Sequence, residues 1–231
     1  MTDILLQFDD IAGGYGETEV VRGISGGISE GEVVAITGRN GVGKSTLLKL
    51  LFGLLTLTRG RVSFQRLDLV GVAPAHRSQK GISFCPQERI VFDNLSVWEN
   101  LSLMLGNTRP DDFAAYFEHF PKLQERLRQH AGTLSGGERK MLSFVRAMAE
   151  DKPLVLFDEP TEGVQQENID HMSQFVRAAR GNRRSFIIVE QNIDFIKTVA
   201  DYLIVLDQGV VVLEGPASAI TRDEIVGRLR I

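Results

Sequence analysis

Gly38-Arg39-Asn40-Gly41-Val42-Gly43-Lys44-Ser45 fits the pattern G-x-x-x-x-G-K-[ST], the phosphate-binding loop known as Walker A. Before it lies the β-rich apolar run Val33-Val34-Ala35-Ile36, and after it Thr46-Leu47-Leu48-Lys49-Leu50-Leu51, a helical pattern. Strand, glycine turn and helix follow one another as the motif requires. Glycines let backbone N–H groups approach phosphate oxygens with no Cβ in the way. A helix opening at Lys44 turns its free N–H groups and positive dipole end toward an anion. Lys44 suits the β- and γ-phosphates of a nucleotide, and the Ser45 hydroxyl suits Mg²⁺. At average residue usage such a match arises by chance in roughly one chain of this length in a hundred.

Outward from the loop, residues 4–8 and 18–28 read as short strands around a Gly-rich turn, Gly13-Gly14-Tyr15-Gly16. Residues 32–37 form the strand entering the loop and 44–54 the helix leaving it. Residues 61–65 and 81–85 read as strands. From about Val97 to Ala149 the pattern is helical, at 97–101, 111–128 and 136–150, with no convincing strand. Strands return at 153–158 and 185–190, with a helix between them. The end reads as strand 202–207, turn Asp207-Gln208-Gly209, strand 210–213 and a helix from about Ser218. Strands alternating with helices predict an α/β protein with a mainly parallel sheet, and the helical middle predicts an inserted lobe.

Two more stretches suit a phosphate-bearing ligand. Leu134-Ser135-Gly136-Gly137-Glu138 opens a helix, with Ser135 and Glu138 at capping-box spacing. The two glycines leave the helix N-terminus bare to an anion; a capped helix and nothing more would carry the same S-x-x-E spacing. Leu154-Val155-Leu156-Phe157-Asp158-Glu159 is an apolar strand ending in two acids, the Walker B pattern. Asp158 can reach Mg²⁺, directly or through water, and Glu159 can polarise an attacking water as general base. Ligands of open α/β sheets bind at the carboxyl ends of strands, where both acids would lie. The bland alternative is a solvated acidic pair at a strand end.

Composition narrows the function. The 231 residues suit one large domain, or one with an inserted lobe. With 43% apolar and 24% charged residues the chain reads as an ordinary soluble globular protein. No window approaches the ~20 uninterrupted apolar residues of a membrane span, and Met1-Thr2-Asp3-Ile4 lacks the start of a signal peptide. A net charge of −4 argues against nucleic-acid binding through a general basic face. The single cysteine, Cys85, allows no intrachain disulfide, suits a reducing cytoplasm, and reads as a buried strand thiol. His76, His119, His130 and His171 lack metal-ligand spacing.

Walker A at 38–45, LSGGE at 134–138 and LFDEP at 156–160, in this order, resemble the ATPase subunit of ATP-binding cassette (ABC) transporters. The resemblance covers essentially the whole chain. It implies a P-loop NTPase core of mainly parallel sheet flanked by helices, an N-terminal antiparallel β subdomain and an inserted helical lobe. Core and β subdomain would take 1–86 and 151–231, and the lobe 87–150. It implies ATP held by Gly38, Asn40, Gly41, Gly43, Lys44, Ser45 and Thr46, with Mg²⁺ addressed by Ser45, Gln87 and Asp158, and water activated by Glu159. Tyr15 sits where the family places an aromatic that stacks on adenine; a hairpin aromatic packing locally is the alternative. Gln87 in Cys85-Pro86-Gln87-Glu88 matches the Q-loop, which touches Mg²⁺ and the attacking water and hinges the lobe. The family pairs two such domains head to tail, so Ser135, Gly136 and Gly137 would complete the partner's nucleotide site.

Two positions depart from the family pattern. The histidine usual after the fifth-strand acid is Gln191 in Val189-Glu190-Gln191-Asn192. Gln can hydrogen-bond a γ-phosphate but takes up neither proton nor charge. The usual D-loop aspartate is Gln165 in Thr161-Glu162-Gly163-Val164-Gln165. V-E-Q-N, D-E-P-T-E-G and Val91-Phe92 followed by Leu95–Leu101 resemble one branch, the second ATPase of importers for branched-chain amino acids, urea or short-chain amides. The resemblance then implies a different ATPase as partner, two membrane permease subunits, an external solute-binding protein, and a cytoplasmic place on the inner face of the membrane. A soluble assembly ATPase, as in iron–sulfur cluster biogenesis, and a nucleotide-gated module with little turnover are the rival readings.

Overall fold

The computed structural model describes residues 4–88 and 90–229. The chain opens as a long hairpin, β1 (Ile4–Tyr15) and β2 (Thr18–Ser29), continues through β3 (Val33–Gly38) and α1 (Lys44–Phe52), and returns as β4 (Leu57–Phe64) and β5 (Leu67–Asp68). An antiparallel sheet of order β2-β1-β4-β5 results. After α2 (Pro74–Gln79) and β6 (Ile82–Cys85) come α3 (Val97–Ser102), α4 (Ala114–His119), α5 (Pro121–Glu125) and α6 (Gly136–Ala149), with no named strand among the described residues between β6 and residue 154. β7 (Leu154–Asp158), α7 (Gln166–Gly181), β8 (Ser185–Val189), α8 (Ile193–Val199), β9 (Tyr202–Asp207), β10 (Val210–Pro216) and α9 (Arg222–Leu229) complete the chain. The second sheet has the order β10-β9-β3-β8-β7-β6, parallel except for β10 at its edge.

β3, β7 and β8 are buried at every position, as strands covered on both faces must be. Their side chains alternate between two cores. Val33, Val155, Phe157, Phe186 and Ile188 join Phe144 and Leu142 of α6 and Met172 and Val176 of α7 on one face. Val34, Ile36, Leu154, Leu156, Ile187 and Val189 join Leu47, Leu48, Leu50 and Leu51 of α1 and Ile11 and Val21 of the antiparallel sheet on the other. Phe144, Phe157 and Phe186 stack in a row, with centroids 5.2 and 6.2 Å apart.

β5, α2 and α8 are additions to the sequence reading, and three elements it does contain are differently placed. β1 runs straight through Gly13, Gly14 and Tyr15, and the turn falls at Gly16-Glu17. Those two glycines admit close neighbours: a Cβ on Gly14 would stand 2.0 Å from the Thr18 carbonyl oxygen, and one on Gly13 2.7 Å from the Leu50 side chain. The helix read at 111–128 is three pieces, a 3₁₀ turn at Pro110–Phe113 followed by α4 and α5. Pro121 has no N–H to continue α4 and instead starts α5. α9 begins at Arg222 rather than near Ser218, because the Thr221 hydroxyl accepts from the Glu224 N–H and fixes the start there. No helix among the described residues is long and apolar enough to cross a membrane.

The carboxyl ends of β3, β8, β7 and β6, adjacent in that order, deliver Gly38, Glu190, Asp158 and Gln87 to one edge of the sheet.

Candidate active site

The loop between β3 and α1 is built on left-handed glycines. Gly41 and Gly43 have φ of 82° and 107°. Gly43 also caps α1 without offering a side chain to its N–H groups, so they stay open to a ligand. Lys44 is 5% exposed. Its Nζ folds back to donate to the carbonyls of Gly38 at 2.9 Å and Arg39 at 3.0 Å. Burial pulls the ammonium below its ordinary pKa, with the Glu159 and Asp158 carboxylates opposing. The Ser45 hydroxyl donates to Asp158 Oδ1 at 2.9 Å. Burial pushes the Asp158 carboxyl up, and the Ser45 bond acts against that rise.

Glu159 is the hub. It is 6% exposed and has a left-handed backbone, φ 50°. Its Oε2 accepts from Gln87 Nε2 at 2.9 Å and its Oε1 from Gln191 Nε2 at 2.7 Å. Lys44 Nζ lies 3.7 Å from Oε1. The Gln191 amide also donates to Asn40 Oδ1 at 2.8 Å, tying the end of β8 to the phosphate loop. Gln191 is itself held by Glu190, which is 3% exposed and accepts from the N–H groups of Thr161, Gln191 and Asn192 and from the Thr161 hydroxyl. Glu159, Gln87, Gln191, Asn40 and Lys44, each picked out in the sequence, thus stand in one network, and the Ser45–Asp158 pair is bonded at the neighbouring chain positions. Thr46 is buried beside them in the first turn of α1.

Ser135, Gly136 and Gly137 stand elsewhere. Ser135 caps α6 by accepting from the Glu138 N–H at 3.3 Å, and Glu138 returns an acceptor to the Ser135 N–H at 3.0 Å. This helix end borders a cleft of about 1140 Å³ whose lining includes Gln87, Phe92, Glu162, Gly163 and Gln165. A smaller hollow of about 350 Å³ lies at Gly38, Arg39, Asn40 and Gln191. The two share no lining residue. Tyr15 is 49% exposed at the end of β1, and its hydroxyl accepts from Lys49 Nζ at 3.1 Å. Its ring therefore offers a free flank next to the phosphate loop's helix. Cys85 is buried against the Ser143 hydroxyl at 3.0 Å, and burial pushes its thiol up, away from thiolate chemistry.

Two residues of the network were not legible beforehand. Glu190 reads in sequence as a strand-end acid, and its inward turn appears only with the loops of two strands in place. Lys140 belongs to no motif read in the sequence, yet it is 8% exposed and donates to the carbonyls of Glu159 and Gln87. Its place on the buried side of α6 is the one signal that helical periodicity offers.

A family model described as ABC transporter matches residues 21–162, more than half of the chain. The chain belongs to the ABC transporter family. This ABC ATPase is 34% identical over 220 residues to the high-affinity branched-chain amino acid transport ATP-binding protein BraG of Pseudomonas aeruginosa, covering 94% of each. It is 31% identical over 216 residues to the probable branched-chain amino acid transport ATP-binding protein LivF of Archaeoglobus fulgidus, covering 91% of this chain and 92% of the relative. Among solved structures it resembles a nucleotide-free ATP-binding cassette from an ABC transporter, with TM-score 0.81, 26% identity, and 97% and 94% of the two chains covered. As a member of this family the cassette binds ATP and hydrolyses it.

Proposed function

We propose that this ATPase powers uptake of a small polar solute, a branched-chain amino acid, urea or a short-chain amide, as one cytoplasmic subunit on the inner face of a membrane importer. The observation that carries the reading is likeness to BraG along nearly the full length of both chains, supported by the Gln87, Gln191 and Lys44 contacts that converge on Glu159.

In this reading Gly38, Asn40, Gly41, Gly43, Lys44, Ser45 and Thr46 hold the triphosphate, and Tyr15 stacks on adenine. The Ser45 hydroxyl and Asp158 carboxylate are hard oxygen donors 2.9 Å apart, which fits Mg²⁺ bound jointly with substrate phosphates. They would hold the ion with the Gln87 amide oxygen, and its charge would offset that developing on the transferred phosphoryl group. Lys44 exchanges its two carbonyls for phosphate oxygens. Glu159 accepts the proton of the attacking water, while Gln87 and Gln191 orient its carboxylate from either side. Gln191 spans Glu159 and Asn40 with one amide, so it orients without charge where the family's histidine can carry one.

The separation of the two hollows favours pairing. Residues 135–137 line a different hollow from residues 38–40, so a second ATPase set head to tail would supply the signature helix to each nucleotide. The helical lobe at 87–150 would present its exposed Phe92, Leu103 and Met104 to a membrane permease, with core and β subdomain at 1–86 and 151–231. An external binding protein would deliver the solute to the permease.

The test is co-purification with integral membrane subunits, together with ATP turnover of the assembly and of its E159Q variant. Turnover that collapses in E159Q within a membrane complex is the expected result. Wild type that retains ATP as stably as E159Q would mark a low-turnover module instead, and a membrane-free assembly with full turnover would mark an assembly ATPase.

A further inference from the structure

Lys140 lies on α6 five residues beyond Ser135, about 7.5 Å along the helix axis from the signature serine. It points inward, although nothing in the capping box or the apolar stripe of α6 requires a cation there. Its Nζ donates to the Glu159 carbonyl at 2.9 Å and to the Gln87 carbonyl at 3.2 Å, and lies 3.6 Å from Glu162 Oε2. The ammonium thus donates to carbonyls of two segments, the strand end at Gln87 and the loop after β7, and pairs with a carboxylate of that same loop. Glu162 does not explain the burial, because its side chain is 57% exposed and an ion pair to so solvated a carboxylate contributes little. The two carbonyls do. Both belong to residues whose side chains meet at the candidate hydrolytic site, where Gln87 Nε2 donates to Glu159 Oε2.

The backbone of Glu159 makes this contact specific. Its φ of 50° is a left-handed conformation that a non-glycine residue holds only when its surroundings enforce it. Its N–H donates to the Val189 carbonyl at 2.9 Å, and its carbonyl accepts from Lys140. The peptide groups on either side of its Cα are therefore pinned, one to β8 and one to α6, which fixes the direction in which the side chain leaves the backbone. A neutral side chain of similar length would fill the same space but would not hold a carbonyl by a charge-assisted bond. α6 also meets the following loop tightly, since a Cβ on Gly137 would stand 2.8 Å from the Gly163 carbonyl oxygen.

We infer that Lys140 is a positioning residue for hydrolysis. It fixes the backbone of Glu159 and Gln87 to the signature helix, so that the placement of α6 sets the direction of the water-activating carboxylate in its own chain. The inference rests on the reading of Glu159 and Gln87 as the groups that act on water. A partner's nucleotide that engages Ser135 at the N-terminus of α6 thereby acts on this chain's own Glu159 through one rigid helix segment and one ammonium.

The experiment measures steady-state ATP hydrolysis by the full chain in its assembled complex, as wild type, K140M, K140R and E159Q, with thermal unfolding of each. The expected result is that K140M lowers kcat tenfold or more with KM for ATP within twofold of wild type. K140R, which keeps charge and donors, is expected to stay within about threefold of wild-type kcat. A K140M variant that unfolds at lower temperature but retains wild-type kcat below that temperature assigns Lys140 to stability alone and overturns the inference. A loss spread equally over kcat and KM, or one not restored by K140R, also overturns it. If K140M does not fold, K140Q, which retains an amide donor, is judged by the same kcat and KM criteria. Wild-type turnover in E159Q removes the reading on which the inference rests, whereas inactive E159Q beside fully active K140M removes the inference alone.

Discussion

Single residues here divide between those that touch the ligand and those that hold other residues in place. In the proposed function Lys44 belongs to the first kind. Its two bonds to Gly38 and Arg39 keep a buried cation satisfied until phosphate replaces them. Lys44→Ala is expected to weaken ATP binding at least tenfold, read by equilibrium titration, with the circular dichroism spectrum unchanged. Gln191→His is expected to be tolerated, with kcat not reduced in the assembled complex, because either side chain can donate to Glu159. A severe loss would mean that the second amide bond, to Asn40, is indispensable. Thr37 shows the cost of a misplaced polar group. It is fully buried in β3, and its hydroxyl has no partner among the described residues. Thr37→Val keeps the shape and removes the hydroxyl, so it is expected to raise stability by about 1 kcal/mol in denaturant unfolding.

At the scale of elements, α6 couples a capping box to a helix end that opens on a cleft. Burial pushes the Glu138 carboxyl up, but its bonds with Ser135 and the nearby Arg126 outweigh this and hold it below its ordinary value. A depressed carboxylate stabilises the fold above its unfolded pKa of about 4.3 and loses that contribution as pH falls through the lower folded value. The difference in melting temperature between wild type and E138Q is therefore expected to be widest near pH 6 and to shrink toward pH 3. The LSGGE pentapeptide and its cap were legible because capping is local chemistry. The break of 111–128 carried a local signal as well, in Pro121, which the helical periodicity on either side obscures. The strand character of Gly13 and Gly14 was not legible, since it depends on Thr18 and on Leu50 of a helix still to come. Walker A and Walker B were legible for the opposite reason: each is a contiguous strand end whose chemistry sits within a few residues.

Across the whole molecule the parallel sheet does what no motif shows by itself. It sets side by side four strand ends drawn from residues 38 to 190, and the contacts Ser45–Asp158, Gln87–Glu159 and Asn40–Gln191 exist only through that order. The same arrangement leaves the helix end at Ser135 on a cleft apart from the hollow at Gly38, Arg39, Asn40 and Gln191, which the proposed pairing reads as two half-sites. Ser135→Arg, which crowds that helix end, is expected to leave this chain's own ATP affinity within about twofold while turnover of the paired assembly falls at least tenfold. Titration of the isolated chain set against hydrolysis by the complex checks both parts.

β3, which carries the phosphate loop, pairs with β8 on one side and β9 on the other. Those neighbours leave the ribosome some 150 residues after it. For most of translation the loop therefore hangs from a strand with two bare edges, exposed to mispairing and in need of shelter. A half-made polypeptide has no sheet on which to draw these side chains together, and β3 gains its second neighbour only once Tyr202–Asp207 is free to pair with it.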